Sequence, residues 1–219
     1  NAIRACVNNH IWFHPSWFEN GSHNLKHNAQ TSRINYNPDG SITVAFMVES
    51  QAPNGAKILG GTDSGRNSIV ELTDRPFGSD DFKFISNQIF TVYTDGSVEM
   101  QSSITSNRPK ITLPRLGYMM KIPQKFSDFT YYGRGPTDNY ADRKSGQFIE
   151  QFSSTPNDEF VSFPKPQDMA NHEDARWAAL TDKAGKGVVF VAQNSMSVTA
   201  LPYKPIDLTL AAHSYQLPV

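Results

Sequence analysis

Residues 41–50 alternate strictly, with Ile42, Val44, Phe46 and Val48 falling on one face and Thr43, Ala45 and Met47 on the other. Successive side chains of a strand point to opposite sides, so this pattern defines a strand in a half-buried sheet. The turns confirm the reading. Pro38-Asp39-Gly40 joins residues 32–37 to 41–50, and Thr94-Asp95-Gly96 joins residues 84–94 to 97–106. Asp-Gly between alternating runs is a hairpin signal, because the glycine takes the positive φ that a tight turn demands. Further strands are predicted over residues 67–73, 111–122, 126–132, 146–152, 175–181, 187–194, 197–203 and from Leu217 onward, and residues 73–81 read as a surface loop. Helix is scarce: residues 16–20 behind Pro15 and before Gly21, a turn over residues 22–27, and residues 204–212 starting at Pro205.

Many short strands separated by Gly, Pro and Asp turns imply an all-β chain, a large antiparallel β-sandwich. At 219 residues it is long enough to bury a sizeable core as one domain. The formal charge of −1 carries no basic or acidic block. Nucleic-acid and membrane-surface roles therefore have no electrostatic support. No apolar run approaches the ~20 residues of a spanning helix, and no signal-peptide pattern opens the chain, an address that a fragment would have lost in any case. A lone cysteine, Cys6, allows no internal disulfide and reads as a small buried hydrophobe.

The chemistry-bearing residues cluster in a few stretches. Residues 131–143 read YYGRGPTDNYADR, where Gly133 and Gly135 bracket Arg134 and lead into Pro136, a composition suited to a sharp turn and a rigid loop. Asp138, Asn139, Asp142 and Arg143 follow, short polar groups that can bind main chain or pair as carboxylate with guanidinium. Residues 166–177 read PQDMANHEDARW, with Asp168, Glu173 and Asp174 available to Arg134, Arg143 and Arg176. Glu49, Glu71, Glu99 and Glu150 sit in strands, where a carboxylate ordinarily faces solvent. Trp177 opens an alternating strand and reads as core. His10/His14 and His23/His27 are spaced i, i+4, the spacing of a helical metal pair, but the glutamate of the zinc-protease arrangement is missing and Pro15 breaks the continuity. No metal or cofactor is expected in this segment.

The YGRGP stretch resembles the C-terminal β-sandwich domain of glycoside hydrolase family 2 β-galactosidases, the bacterial lacZ-type enzymes, with Asp138 where that family more often has glutamate. RACVNN (residues 4–9), PQDMANHEDARW and SVTALPYKP (residues 197–205) resemble family segments in the same order. The resemblance implies a galactose-mutarotase-like supersandwich, truncated at both ends and therefore with unpaired sheet edges open to association between copies. It implies a retaining enzyme whose catalytic glutamates lie in a neighbouring (β/α)₈ barrel of the same polypeptide, so that catalytic residues here number none and any magnesium or sodium requirement belongs to the parent. Asn8, Asn9, His10 and Trp12 fall in the family's loop at the active-site mouth, where Asn8 and His10 replace aspartates. Arg134, Asp138, Asn139, Asp142, Arg143, Arg176 and Trp177 form a structural polar corner. At Asp168-Met169-Ala170 the family has Glu-Asn-Gly, and alanine in place of a glycine at positive φ predicts a different loop path. Two other readings remain at this point: a carbohydrate-binding module with its tryptophans lined up in a groove, and an epimerase-type sandwich enzyme needing a histidine acid and a glutamate base, for which His172 and Glu173 are the available pair.

Overall fold

A computed structural model describes residues 1–7, 14–59 and 69–218. The chain is all-β, and its strand content and antiparallel pairing are those of an all-β sandwich. In order it contains α1 (His14–Glu19), β1 (Lys26–Tyr36), β2 (Ile42–Gln51), β3 (Asn54–Leu59), β4 (Ile69–Pro76), β5 (Lys83–Val92), β6 (Val98–Ser106), β7 (Asp128–Gly135), β8 (Phe148–Ser154), β9 (Asn171–Thr181), β10 (Gly187–Thr199) and α2 (Pro205–Leu210), with a short 3₁₀ turn at Ser214–Gln216. None of the described helices is long and apolar enough to cross a membrane.

The chain divides into two compact units. The first holds α1 and β1 to β6. Its four-stranded sheet has the order β1-β2-β5-β6, and β3 pairs with β4 separately. Both Asp-Gly hairpins form as the sequence requires, with Gly40 and Gly96 at φ 84° and 87° and the preceding aspartates each capping the backbone N–H two residues on. Register aligns whole rows of side chains across the sheet. Tyr36, Ile42, Val92 and Val98 make one row, and Ile34, Val44, Phe90 and Met100 the next on the same face. A bulge between Thr31 and Arg33 shifts the alternation of β1 and so keeps Ile34 and Tyr36 on that face. The other end of the face is buried, where Phe84 packs with Phe82 and Ala2 beneath Leu25, Ile104, Ile111 and Leu113.

The second unit holds β7 to β10 and α2, with sheet order β10-β9-β7-β8. One core cluster joins Phe129, Tyr131, Ala178 and Ala200. A second joins Ala5, Met169, Ala170, Leu208, Ala211 and Leu217. Cys6 is buried here, as a small hydrophobe should be, with its N–H donating to Thr209 Oγ1 at 3.1 Å. Burial pushes its thiol up to about 11.

Several expected elements differ. Residues 111–122 form no strand: Pro109, Pro114 and Pro123 remove ladder donors at both ends and within the run. Residues 22–27 turn and enter β1 rather than making a helical turn, and β4 extends into the predicted loop as far as Pro76. Residues 187–199 form one strand with register shifts between Val191 and Val198, where two strands were predicted. Leu217 follows the 3₁₀ turn as a buried core residue instead of opening a strand. The short strand β3 carries no alternation long enough to signal itself.

Candidate functional site

The polar corner lies in the second unit, where β7 runs Asp128–Gly135 into a cis bond to Pro136. Its two glycines do not turn the chain. They stay in the strand, opposite Glu150 and Phe148 of β8. What they supply is room: a Cβ on Gly133 would stand 2.8 Å from Ala175 Cα, and one on Gly135 would stand 2.5 Å from the Tyr131 hydroxyl and 2.7 Å from the Phe152 ring. The sharp turn expected there is thus replaced by a close approach of β9 and of two aromatic rings to bare backbone.

Arg134, between those glycines, is held by a carboxylate and by main-chain carbonyls, with Nη1 also donating to the Lys144 carbonyl at 3.5 Å. Its Nε donates to Asp174 Oδ2, and its Nη1 donates to the Gln147 carbonyl at 3.1 Å. Lys144 Nζ donates to both Asp174 oxygens at 3.1 Å. Three-quarters buried, Asp174 is thereby committed to two cations. The bond from Arg134, reinforced by Lys144, holds its carboxyl below the usual carboxylate range.

Asn139 is fully buried and uses every polar atom it has. Its Nδ2 donates to the carbonyls of Arg134 at 2.9 Å and Thr137 at 3.0 Å, and its Oδ1 accepts from the Glu173 N–H at 2.9 Å. Its backbone N–H donates to the Asn171 carbonyl, and Asn171 Nδ2 returns a bond to the Asn139 carbonyl, both at 2.7 Å. A loop outside the strands, carrying an isolated bridge between Tyr140 and Arg143, is thereby fastened to β7 and β9.

His172 is buried behind it, with Nδ1 facing the Arg134 carbonyl at 3.2 Å and Nε2 facing Glu159 Oε2 at 2.9 Å. Tyr131 stacks on its ring at 4.1 Å between centroids. The Tyr131 hydroxyl is buried without a hydrogen-bond partner among the described residues, and burial, with Glu159 nearby, raises its pKa. At the exposed end, Arg143 donates to Asp138 at 3.1 Å while its guanidinium lies 4.9 Å from the Tyr140 ring centre, and Arg4 lies 5.5 Å from the same ring.

The corner therefore gathers Arg134, Asp138, Asn139 and Arg143. Asp142 stays exposed, and Arg176 donates to the main-chain carbonyl of Asp174 rather than to a carboxylate. Trp177 is half-buried, not core. Ala178 takes the inner position against Phe129 and Tyr131, where a small residue leaves room for their rings, and alternation sends the indole to the other face, across from Tyr132 and Val191. Asn8, Asn9, His10 and Trp12 lie outside the described residues. Trp17 is buried and donates from Nε1 to the Thr112 carbonyl at 3.0 Å, so it is not available to a glycan. His172 and Glu173 diverge as strand neighbours must: Glu173 Oε1 accepts from Asn171 Nδ2 at 2.8 Å and Ser197 Oγ at 2.9 Å.

Of the strand glutamates, Glu71 and Glu150 are exposed, as a solvent-facing carboxylate should be, and the other two are occupied locally. Glu49 pairs with Lys83, and Glu99 accepts from Tyr93 and Gln101. Instead of sharing a helix face, His23 stacks on Phe18 and His27 Nδ1 meets Ser50 Oγ at 2.8 Å. Among the described residues no group of three or more His, Cys, Asp or Glu converges as a metal site. An open depression of about 520 Å³ in the first unit is lined by Asn20, Asn107, Arg108, Pro109, Lys110 and Ile111, without a carboxylate. Lys144, Gln147, Glu159 and Asn171 complete the corner without having been legible in it, since each reaches it across a loop rather than by spacing.

Fold and corner together define an all-β scaffold whose densest polar network fastens strands and a loop. The profile of the family described as Beta galactosidase small chain matches residues 1–219, and the chain belongs to that family. Among curated proteins it is similar to a β-galactosidase of Priestia megaterium, 31% identical over 129 residues, which is 59% of this chain and 12% of the relative. A β-galactosidase of Halalkalibacterium halodurans is 29% identical over 133 residues, 59% of this chain and 13% of the relative. Beta-galactosidase BgaC of Bifidobacterium adolescentis is 34% identical over 110 residues, 49% of this chain and 10% of the relative. The matched part thus spans about an eighth of the length of these relatives.

Proposed function

We propose that this chain is the non-catalytic β-sandwich segment of a larger retaining β-galactosidase that hydrolyses terminal β-D-galactosides. In this reading it is part of a galactose-mutarotase-like supersandwich, packs on a (β/α)₈ barrel that carries the acid and the nucleophile, and walls the active site. Asn8, Asn9, His10 and Trp12 border the mouth, and any magnesium or sodium is held by the parent enzyme.

The observation that carries the reading is the fate of the carboxylates. A retaining glycosidase needs two carboxyl groups about 5 Å apart facing a sugar. In the polar corner Asp174 is committed to Arg134 and Lys144, Asp138 to Arg143 and Glu159 to His172, while Glu173 accepts from Asn171 and Ser197. Groups bound this way brace a fold rather than stand free for acid or nucleophile chemistry.

The test is the full reading frame, expressed and assayed with a nitrophenyl β-galactoside while the released sugar is followed by NMR. The expected result is hydrolysis with β-galactose appearing first. No hydrolysis, or α-galactose first, contradicts the reading.

A further inference from the structure

On the proposal that the chain belongs to a longer β-galactosidase, we infer that the bare end of the β1-β2-β5-β6 sheet is a docking face for a flat, uncharged, apolar layer of the remaining polypeptide. The face has two parts. Near Phe84 and Ile104 it is covered by its own unit. Toward the two Asp-Gly hairpins the same face continues uncovered: Tyr36 is 82% exposed, Val98 55% and Ile34 54%, and Ile42, Val92 and Met100 are exposed beside them.

The pattern is that of an interior surface. Register and alternation place no Asp, Glu, Lys or Arg on this face of any of the four strands, whereas the opposite face carries Arg33, Glu49, Lys83 and Glu99. A solvent face of an antiparallel sheet alternates toward polar residues, and edge strands ordinarily carry charge as protection. Here both edges, β1 and β6, present apolar side chains to the same side.

Size supports an interface. The six exposed side chains leave bare on the order of 500 Å², at the upper end of the largest patch a monomer tolerates. That is more than half of the roughly 800 Å² that one partner buries in a stable interface. The occupant follows from length. The relatives extend far beyond the part this chain matches. A tethered neighbour meets the patch at an effective concentration near ~1 mM, whereas a second copy must also overcome the entropy of association. Absence of charge on the face specifies the chemistry of what covers it: apolar side chains with no unpaired ions, since an ion buried there would have no partner.

The experiment uses the full-length polypeptide with its other reactive cysteines replaced. Val98→Cys reports the face and Ser103→Cys, on the opposite face of β6, is its control. Thiol modification of native enzyme is compared with the urea-unfolded chain. The account expects V98C to be slowed more than about 30-fold by folding and S103C less than about 5-fold. Equal reactivity of the two in native enzyme overturns it, and so does protection of V98C that disappears when subunits dissociate on dilution, which would make the occupant a second copy. Should either variant fold poorly, hydroxyl-radical labelling of Tyr36 and Met100 in the unaltered enzyme reads the same face: protection supports the inference and free labelling overturns it. Galactoside hydrolysis measured on the same sample separates the two claims. An active enzyme with an open face sinks only the docking inference, and an inactive one with a closed face sinks only the proposed function.

Discussion

His172 Nε2 lies 2.9 Å from Glu159 Oε2, with the imidazole fully buried and the carboxylate nearly so. The other ring nitrogen faces the Arg134 carbonyl, and Tyr131 covers one side of the ring. A histidine and an acid in contact invite a catalytic reading, yet both ends of this pair are turned into the core. It is a strut, and it predicts a graded response. Glu159→Ala leaves a buried ring nitrogen without its partner and is expected to destabilise the chain by about 2–3 kcal/mol, with Glu159→Gln, which keeps the reach and a hydrogen bond, costing clearly less. Urea unfolding of the three proteins checks the order.

Asn139 makes a second, sharper test. Its amide donates to two carbonyls, those of Arg134 and Thr137. Asn139→Asp replaces the donor with an oxygen facing both, and the expected loss is about 3–5 kcal/mol, close to abolishing the corner. Asn139→Ala, which removes the bonds without adding repulsion, should be the milder change by the same measurement.

Ala170 sits at φ 61° while 2% exposed. The resemblance implies a glycine at this position, and alanine there predicts a different loop path. The backbone at Ala170 is nonetheless left-handed, with the Cβ contributing to the cluster with Met169 and Leu208. Ala170→Gly is therefore expected to relieve about 1 kcal/mol of backbone strain, partly offset by the greater freedom of the unfolded chain and the lost methyl. The net change in melting temperature should be small and upward, whereas Ala170→Val should lower it by several degrees.

Asp174 carries a pH dependence of known sign. Its folded pKa lies below the unfolded value because Arg134 and Lys144 bind the carboxylate. Stability from this group is complete above the unfolded pKa of about 3.9 and is lost as pH falls through the folded one. Asn tolerates the φ of 55° found at this position, so Asp174→Asn removes charge without disturbing backbone. The variant should be less stable by about 1 kcal/mol near pH 6, given the partial exposure of the pair. The gap should close as the pH falls below the usual carboxylate range and through the folded pKa.

Periodicity made the sheets legible. The alternation from Ile42 to Val48 and the two Asp-Gly turns carried β2, β5 and β6 into place, because both signals are local. Residues 111–122 look equally apolar, but their prolines deny them a ladder, and nothing local says which neighbour would have paired with them. The corner was half legible. Arg134, Asp138, Asn139 and Arg143 stand within ten residues of one another, so their clustering is visible without a structure. Lys144, Glu159 and Asn171 join through loop closure, and the role of the glycines as room for Ala175, Tyr131 and Phe152 depends on which strand lies alongside. Trp177 was misplaced for a related reason: hydrophobicity names a buried residue, but the choice between Trp177 and Ala178 for the inner face is made by the rings already packed there.

The central claim is that this polypeptide braces a glycosidase and holds none of its reactive groups. Its most direct test is turnover of a nitrophenyl β-galactoside by the purified 219-residue chain, with folding verified by circular dichroism. The account predicts no release of nitrophenol above a buffer blank. Sustained turnover that survives repurification, and that responds to substitution of Asp174 or Glu159, would contradict it.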